Sequence, residues 1–339
     1  MKLIKTIDAQ GHVLCHDITR IVKGVTKEAA FRKGHIVTEE DIPMLLSMGK
    51  DHLYIWENDE TVYHENEAAD ILAGMCGRTH MYWSDVKEGK ISIFADCDGY
   101  FITDTARIEG LNAMEDLMIA TRHSGTPVKK GDMLAGTRVI PLTIPKEKLH
   151  AAQQFSGNRP LLAVLPYKGL KTGIVTTGNE VFYGRIEDTF SPVIRAKLAA
   201  YGAEAMAHRI VSDDPEATRD AIEAMIAQGA EMVICTGGMS VDADDRTPLA
   251  IKLTGASMVT YGAPVLPGSM FLMAYTSNGI PIMGLPGCVM YSKRTIFDLV
   301  LPRVLAGIPI TKAWIAGLGN GGLCLDCDVC TYPNCGFGK

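Results

Sequence analysis

Between residues 171 and 306 short apolar segments alternate with stretches of helical periodicity, and several of those segments end in a glycine turn. That alternation leaves few architectures open. Strands separated by helices pair in parallel, because a parallel neighbour is reached only through a long crossover. Strands are expected at 172–176, 204–211, 231–235, 257–261, 271–275 and 280–283. A helix over 192–201 carries Val193, Ile194, Leu198 and Tyr201 at helical spacing, with Ser191 as N-cap and Pro192 at the first helical position. Asp214-Pro215-Glu216 opens the next helix, whose buried face is Ala217, Ala221, Ile222 and Met225. A last helix is expected over 288–305, interrupted by Pro302. The fold class that follows is α/β, a three-layer αβα domain with a mostly parallel sheet.

Residues 1–165 read differently, as an α+β accessory region. Thr38 is expected to cap a helix with Glu39, Glu40 and Asp41 in its first turn, Ile42, Leu45 and Leu46 on one face, and Gly49 as the stop. The acidic first turn is explained by the helix dipole and needs no functional reading. Extended segments at 53–56 and 91–94, a helical stretch around 111–120, a turn over 128–132, a strand over 137–142 and a helix over 146–155 complete this region. Pro141, Pro145, Gly157, Pro160 and Pro166 mark a boundary, so the α/β domain is assigned to 166–309 and a cysteine-rich tail to 310–339.

Composition excludes some functions. Of 339 residues, 47% are apolar, too many for a disordered chain. A net charge of −6 supplies no basic field for a nucleic-acid backbone, so no nucleic-acid partner is expected. Met1 to Asp8 turns polar before a signal peptide could develop, and no apolar run suits a membrane span; the expectation is a cytoplasmic protein without a membrane partner.

Chemistry is expected at the strand ends, where open α/β sheets bind ligands. Three glycine turns fall there: Thr176-Thr177-Gly178-Asn179-Glu180, Thr236-Gly237-Gly238-Met239-Ser240 and Gly284-Leu285-Pro286-Gly287. Their main-chain N–H groups suit a phosphate or similar anion. The second turn runs into Asp242, Asp244 and Asp245. Carboxylates beside an anion site repel it unless a divalent cation intervenes, so a Mg2+-bridged phosphate is expected, with Asp242 and Asp245 as metal ligands. Helix capping is the competing role for these aspartates, as it is for Asp213 and Asp214.

The order Thr177-Gly-Asn-Glu180, Val211-Ser-Asp-Asp-Pro-Glu216, Thr236-Gly-Gly-Met-Ser240, Asp245-Arg-Thr-Pro248 and Leu285-Pro-Gly287 resembles the molybdopterin-binding domain shared by molybdopterin adenylyltransferases and molybdotransferases. Phe31-Arg-Lys-Gly34, the helix around Asp41 to Leu46 and the segment 128–142 resemble the molybdotransferase accessory domains more loosely. The resemblance implies that Thr177, Gly178, Asn179, Gly237, Gly238, Ser240, Pro286 and Gly287 bind the pterin. It implies catalytic or metal roles for Asp245, Asp214 and Glu180. The reaction implied is attack of molybdate on adenylated molybdopterin with loss of AMP, in a homodimer. The alternative is a non-catalytic carrier that delivers the cofactor to a molybdoenzyme. Four departures are visible: Asn179 stands where the family has Asp, the Leu266-Pro-Gly-Ser-Met270 run lacks two lysines, the Leu285-Pro-Gly287 turn continues as Cys288-Val289 in place of Asn-Pro, and the family's C-terminal barrel is absent.

In place of that barrel stand Cys324, Cys327, Cys330 and Cys335, four of the nine cysteines. An odd total in a chain read as cytoplasmic argues against a disulfide framework. Spacings of two, two and four residues suit metal ligation, with an iron–sulfur cluster or Zn2+ both open. The tail is read as a redox sensor or as a contact with a molybdoenzyme.

Overall fold

The computed structural model describes residues 1–22, 26–55 and 59–339, so Trp56 of the expected 53–56 strand lies outside the described residues. The chain divides into two compact units. One comprises Met1–Phe94, Asp104–Arg122 and Met133–Ala163; the other comprises Ala95–Thr103, His123–Asp132 and Val164–Lys339.

The first unit is α+β. Met81–Trp83, Lys90–Ala95, Met133–Val139 and Leu117–Thr121 form a four-stranded sheet in that spatial order. The helix Glu65–Cys76 buries Ala68, Ala69, Leu72 and Ala73 and starts with a capping box between His64 and Glu67. Two expectations fail here. The stretch 111–120 is not one helix: Thr105–Asn112 covers only its first two residues, and Leu117–Thr121 is a strand pairing with Met133–Val139. Glu115 and Asp116 adopt positive φ between them, breaking the helical run. Thr38 is not a side-chain cap either; the Asp41 carboxylate accepts from the Thr38 N–H at 2.8 Å, reversing the expected donor and acceptor.

In the second unit six strands lie in the order Glu204–Val211, Lys171–Thr177, Met232–Thr236, Pro281–Leu285, Leu272–Tyr275, Ser257–Tyr261. The first four are parallel, Leu272–Tyr275 runs antiparallel to both its neighbours, and Ser257–Tyr261 returns to the direction of the first four, so the sheet is mostly parallel as expected. Period-2 alternation sends successive side chains to opposite faces. Ile174, Ile234, Met273 and Met283 face a core with Ile194, Leu198, Phe297 and Val300. Val175, Val233, Leu272 and Ile282 face a second core with Ala221, Ile222, Met225 and Ile251. Burial on both faces explains why these strands read as continuous apolar runs, and it makes the unit three-layered. Each fully buried Ile or Leu contributes about 1.5–3 kcal/mol.

Helix starts show where local chemistry overrode the expected caps. Asp214 caps Pro215–Ala227, accepting from the Glu216 N–H at 3.1 Å, as expected. Phe190–Ala199 is capped from outside by Asp188, whose Oδ1 accepts from the N–H groups of Phe190 at 2.8 Å and Ser191 at 3.2 Å; Ser191 is itself helical. The expected helix 288–305 divides into a 3-10 turn, Gly287–Met290, and a helix, Ile296–Leu305. The break is set by a capping box between Thr295 and Asp298.

Candidate functional site

The chain leaves Lys171–Thr177 toward Glu204–Val211 and leaves Met232–Thr236 toward the opposite edge of the sheet. The carboxyl ends of these two strands therefore flank a topological switch point, where open α/β sheets bind ligands. A cleft of about 450 Å³ opens there. Its floor comes from three successive strand ends: Thr176 and Thr177, then Gly237 and Gly238, then Leu285, Pro286 and Gly287. This volume suits a small organic ligand.

Glycine is required at the middle turn. Gly237 has φ +83°, and a Cβ built there would lie 2.1 Å from the Thr177 carbonyl oxygen. The turn is held by buried hydroxyls. Thr177 Oγ1 donates to the Thr236 carbonyl at 3.2 Å and lies 3.1 Å from Thr247 Oγ1, which donates to the Gly237 carbonyl at 2.9 Å. The Thr247 N–H reaches the Gly238 carbonyl at 3.1 Å. Such bonds contribute about 1 kcal/mol each, and together they fix the backbone against the cleft.

The electrostatics are one-sided. Glu180, Glu187, Asp188 and Asp245 line the cleft, and among the described residues no Lys or Arg does. Beneath it Thr176 Oγ1 lies 2.9 Å from His208 Nε2, which lies 3.3 Å from Asp188 Oδ2. Burial pushes the His208 imidazole below its ordinary value, outweighing the nearby Asp188 charge. The ring is thus neutral near pH 7, and its 3.3 Å approach to Asp188 is not an ion pair there. Burial raises the Asp188 carboxyl, but the Ser191 side chain and the Phe190 and Ser191 N–H groups outweigh it and hold the carboxyl low.

Residues 173–306 match the family model described as a probable molybdopterin binding domain. Residues 3–57 match a second model, a domain of unknown function. The chain is similar to a molybdopterin molybdenumtransferase of Synechococcus elongatus, 26% identical over 197 residues, covering 55% of this chain and 46% of the relative. It also resembles a molybdenum cofactor biosynthesis bifunctional protein of the same organism, 34% identical over 88 residues, covering 26% of this chain and 28% of the relative. The chain thus spans less than half the length of either relative. Among solved structures, a molybdopterin biosynthesis enzyme of Thermus thermophilus is 21% identical, covering 41% of this chain and 98% of that one, with a TM-score of 0.33.

Of the residues singled out from the sequence, the domain's cleft brings together Thr177, Glu180, Gly237, Gly238, Ser240, Asp245, Pro286 and Gly287. Gly178 lies buried below the Glu180 carboxylate. Asn179 is tied to the neighbouring strand end: its N–H donates to Asp213 at 2.9 Å. Asp214 caps its helix, and neither it nor Asp242 lines the cleft. Asp245 has a structural duty too, since its Oδ2 accepts from the Asp242 N–H at 3.1 Å.

Sequence reasoning missed the wall formed by Val181, Ile186 to Phe190, Met270, Met290 and Tyr291. Asp188 was legible in principle, as an Asp two and three residues before N–H groups that needed a cap. The aliphatic and aromatic wall carried no local signal. Cys235 is fully buried, its thiol pushed up to about 12 by desolvation, and acts as a small apolar core residue. Among the described residues no three His, Cys, Asp or Glu side chains are grouped as a ready single-ion site, and no helix is long and apolar enough to cross a membrane.

Proposed function

We propose that the switch-point cleft binds molybdopterin or its adenylate, and that the chain acts in molybdenum cofactor biosynthesis as a molybdotransferase-like enzyme. One observation carries this reading: main-chain groups of Gly237, Gly238 and Gly287 border a single cleft in a domain whose family is described as molybdopterin-binding. The two curated relatives support the biosynthetic role.

The cleft's charge shapes the proposed chemistry. A phosphate facing Glu180, Glu187, Asp188 and Asp245 without a basic side chain is repelled unless a cation is shared. Mg2+ commonly binds through one or two carboxylates plus substrate phosphates, keeping waters for its other positions. The donor set fits that mode and not an all-protein cage, since among the described residues no three ligands are grouped. Asp245 and Glu180 are the proposed ligands, and Mg2+ would supply charge neutralisation at the phosphate. Asp214 and Asp242 are assigned to holding the helix start and the turn. Thr177, Ser240 and the glycine turns seat the pterin, molybdate is the co-substrate and AMP the leaving group. A homodimer and docking on a molybdoenzyme belong to the same proposal.

The test is AMP release from adenylated molybdopterin by the purified chain. Release that requires molybdate and Mg2+ and falls at least a hundredfold in Asp245→Ala is expected. Tight pterin binding without turnover would replace the enzyme by a carrier, and no pterin binding would overturn both.

A further inference from the structure

The tail forms a second cavity, of about 210 Å³, bordered by Cys324, Cys327, Cys330 and Cys335 together with Lys293 and Arg294. Two anchors hold it. On one side Leu266 N–H donates to the Gly322 carbonyl and Cys324 N–H to the Leu266 carbonyl, both at 2.8 Å. On the other the Tyr332 hydroxyl donates to the Asp298 carbonyl at 2.9 Å, and Phe337 is buried in the α/β core. Cys327 and Cys330 lie on the exposed lobe between the anchors, while Cys324 and Cys335 sit near them, partly buried.

The cavity's size decides between ligand classes. A zinc ion, with Zn–S near 2.3 Å, draws four tetrahedral sulfurs to within about 3.8 Å of one another. The four thiols here are not grouped for a single ion, yet all border one space. That space, about 210 Å³, is roughly seven times the share of one water molecule in the liquid. It has room for a polynuclear core.

Its lining carries two cations, Lys293 and Arg294, against one carboxylate, Asp326. Lys293 Nζ donates to the carbonyls of Cys327 at 2.9 Å and Asp328 at 3.3 Å. Arg294 reaches Asp298 at 2.8 Å and hydrogen-bonds the Cys330 sulfur. Its Nε is buried without a hydrogen-bond partner among the described residues. A buried orphan donor beside four cysteines suits an occupant of net negative charge, which a cluster held by four thiolates has.

We propose that this cavity holds a polynuclear iron–sulfur cluster ligated by Cys324, Cys327, Cys330 and Cys335, with Arg294 as its charge partner. The cluster stands one short segment from the cleft, since Gly287 to Met290 border the cleft and Lys293 and Arg294 the cavity. The inference does not depend on the pterin reading.

The test uses the full chain, purified without oxygen and reconstituted with ferrous iron and inorganic sulfide, beside a parallel sample given Zn2+ alone. The expected result is about four iron and four acid-labile sulfide per chain, with a broad visible charge-transfer band. Cys327→Ala, on the exposed lobe, is expected to lose at least half of both while keeping the thermal transition of the apo chain. Cys97→Ala, outside the tail, is the control and should retain both. Iron without sulfide, one tightly held zinc with no retained iron, no retained metal, or undiminished loading of Cys327→Ala would each overturn the proposal. Pterin binding measured on the same samples separates a failure here from a failure of the cleft.

Discussion

The cleft presents main-chain groups held by a six-stranded sheet, whereas the tail pocket presents thiols on a loop tied down at its two ends. In the cleft, shape is set by burial: Thr177, Thr236 and Thr247 are 3% exposed or less and lock the turn over which a ligand would sit. In the tail, Leu325 and Val329 are 76% and 77% exposed, and the lobe is held by its two anchors and by Lys293, which donates to the Cys327 and Asp328 carbonyls. A site made of backbone tolerates almost no change at its glycines and much change at its exposed side chains. A site made of side chains inverts that sensitivity.

The largest effect that could break this contrast is at Gly237. Gly237→Ala places a methyl 2.1 Å from the Thr177 carbonyl at positive φ, so the turn must move. A loss of about 3 kcal/mol or more of unfolding free energy, or pterin binding weakened at least a hundredfold in a folded variant, is the expected outcome in denaturant titration and calorimetry. Retention of both would mean the turn is not a rigid platform.

Next in size is Thr177→Val, which removes one hydroxyl from the buried set and leaves the Thr236 carbonyl short of a donor. It should cost about 1–3 kcal/mol and leave loading of the tail with iron and sulfide unaltered. Coupled losses at both sites would erase the distinction drawn here.

Acid should act on the α/β unit through His208. Its folded value is depressed, chiefly by burial, so its contribution to stability is present above the ordinary value of 6.5 and is lost as pH falls. Asp188 is also depressed, so its contribution is present above the ordinary carboxyl value of 3.8 and disappears at lower pH. The thermal transition should therefore fall below pH 6, and His208→Gln should flatten the first part of that decline. An unchanged pH profile in the variant would remove His208 from the support of the cleft.

The smallest effect is expected at Asp242, exposed and outside the cleft lining. Asp242→Asn should change stability by less than about 0.5 kcal/mol and leave pterin binding intact. A large loss of binding would mean that this carboxylate shares the cation proposed for Asp245.

Much of the sheet was legible because its strands are buried on both faces. Met232–Thr236 and Pro281–Leu285 are buried throughout and lie within two residues of the expected 231–235 and 280–283, and the edge strands at 204–211 and 257–261, only partly buried, also fall where they were expected. The paired Gly237 and Gly238 were readable because their positive φ and close contacts favour glycine there. What escaped notice depends on tertiary context. The 111–120 stretch carries helix-compatible residues, yet pairing with Met133–Val139 makes its second half a strand. Ser191 before Pro192 is a sound local cap, but Asp188, fixed beside His208, took the role. Residues such as Met270, Met290 and Tyr291 reach the cleft from distant segments, and nothing in their neighbours announces it.

Calorimetric titration of the anaerobically purified chain with molybdopterin, in Mg2+, addresses the central claim most directly. A saturable complex of one pterin per chain, weakened at least tenfold without Mg2+, is the predicted result. No heat and no retained pterin from a chain whose thermal transition shows it folded would contradict the assignment of the switch-point cleft.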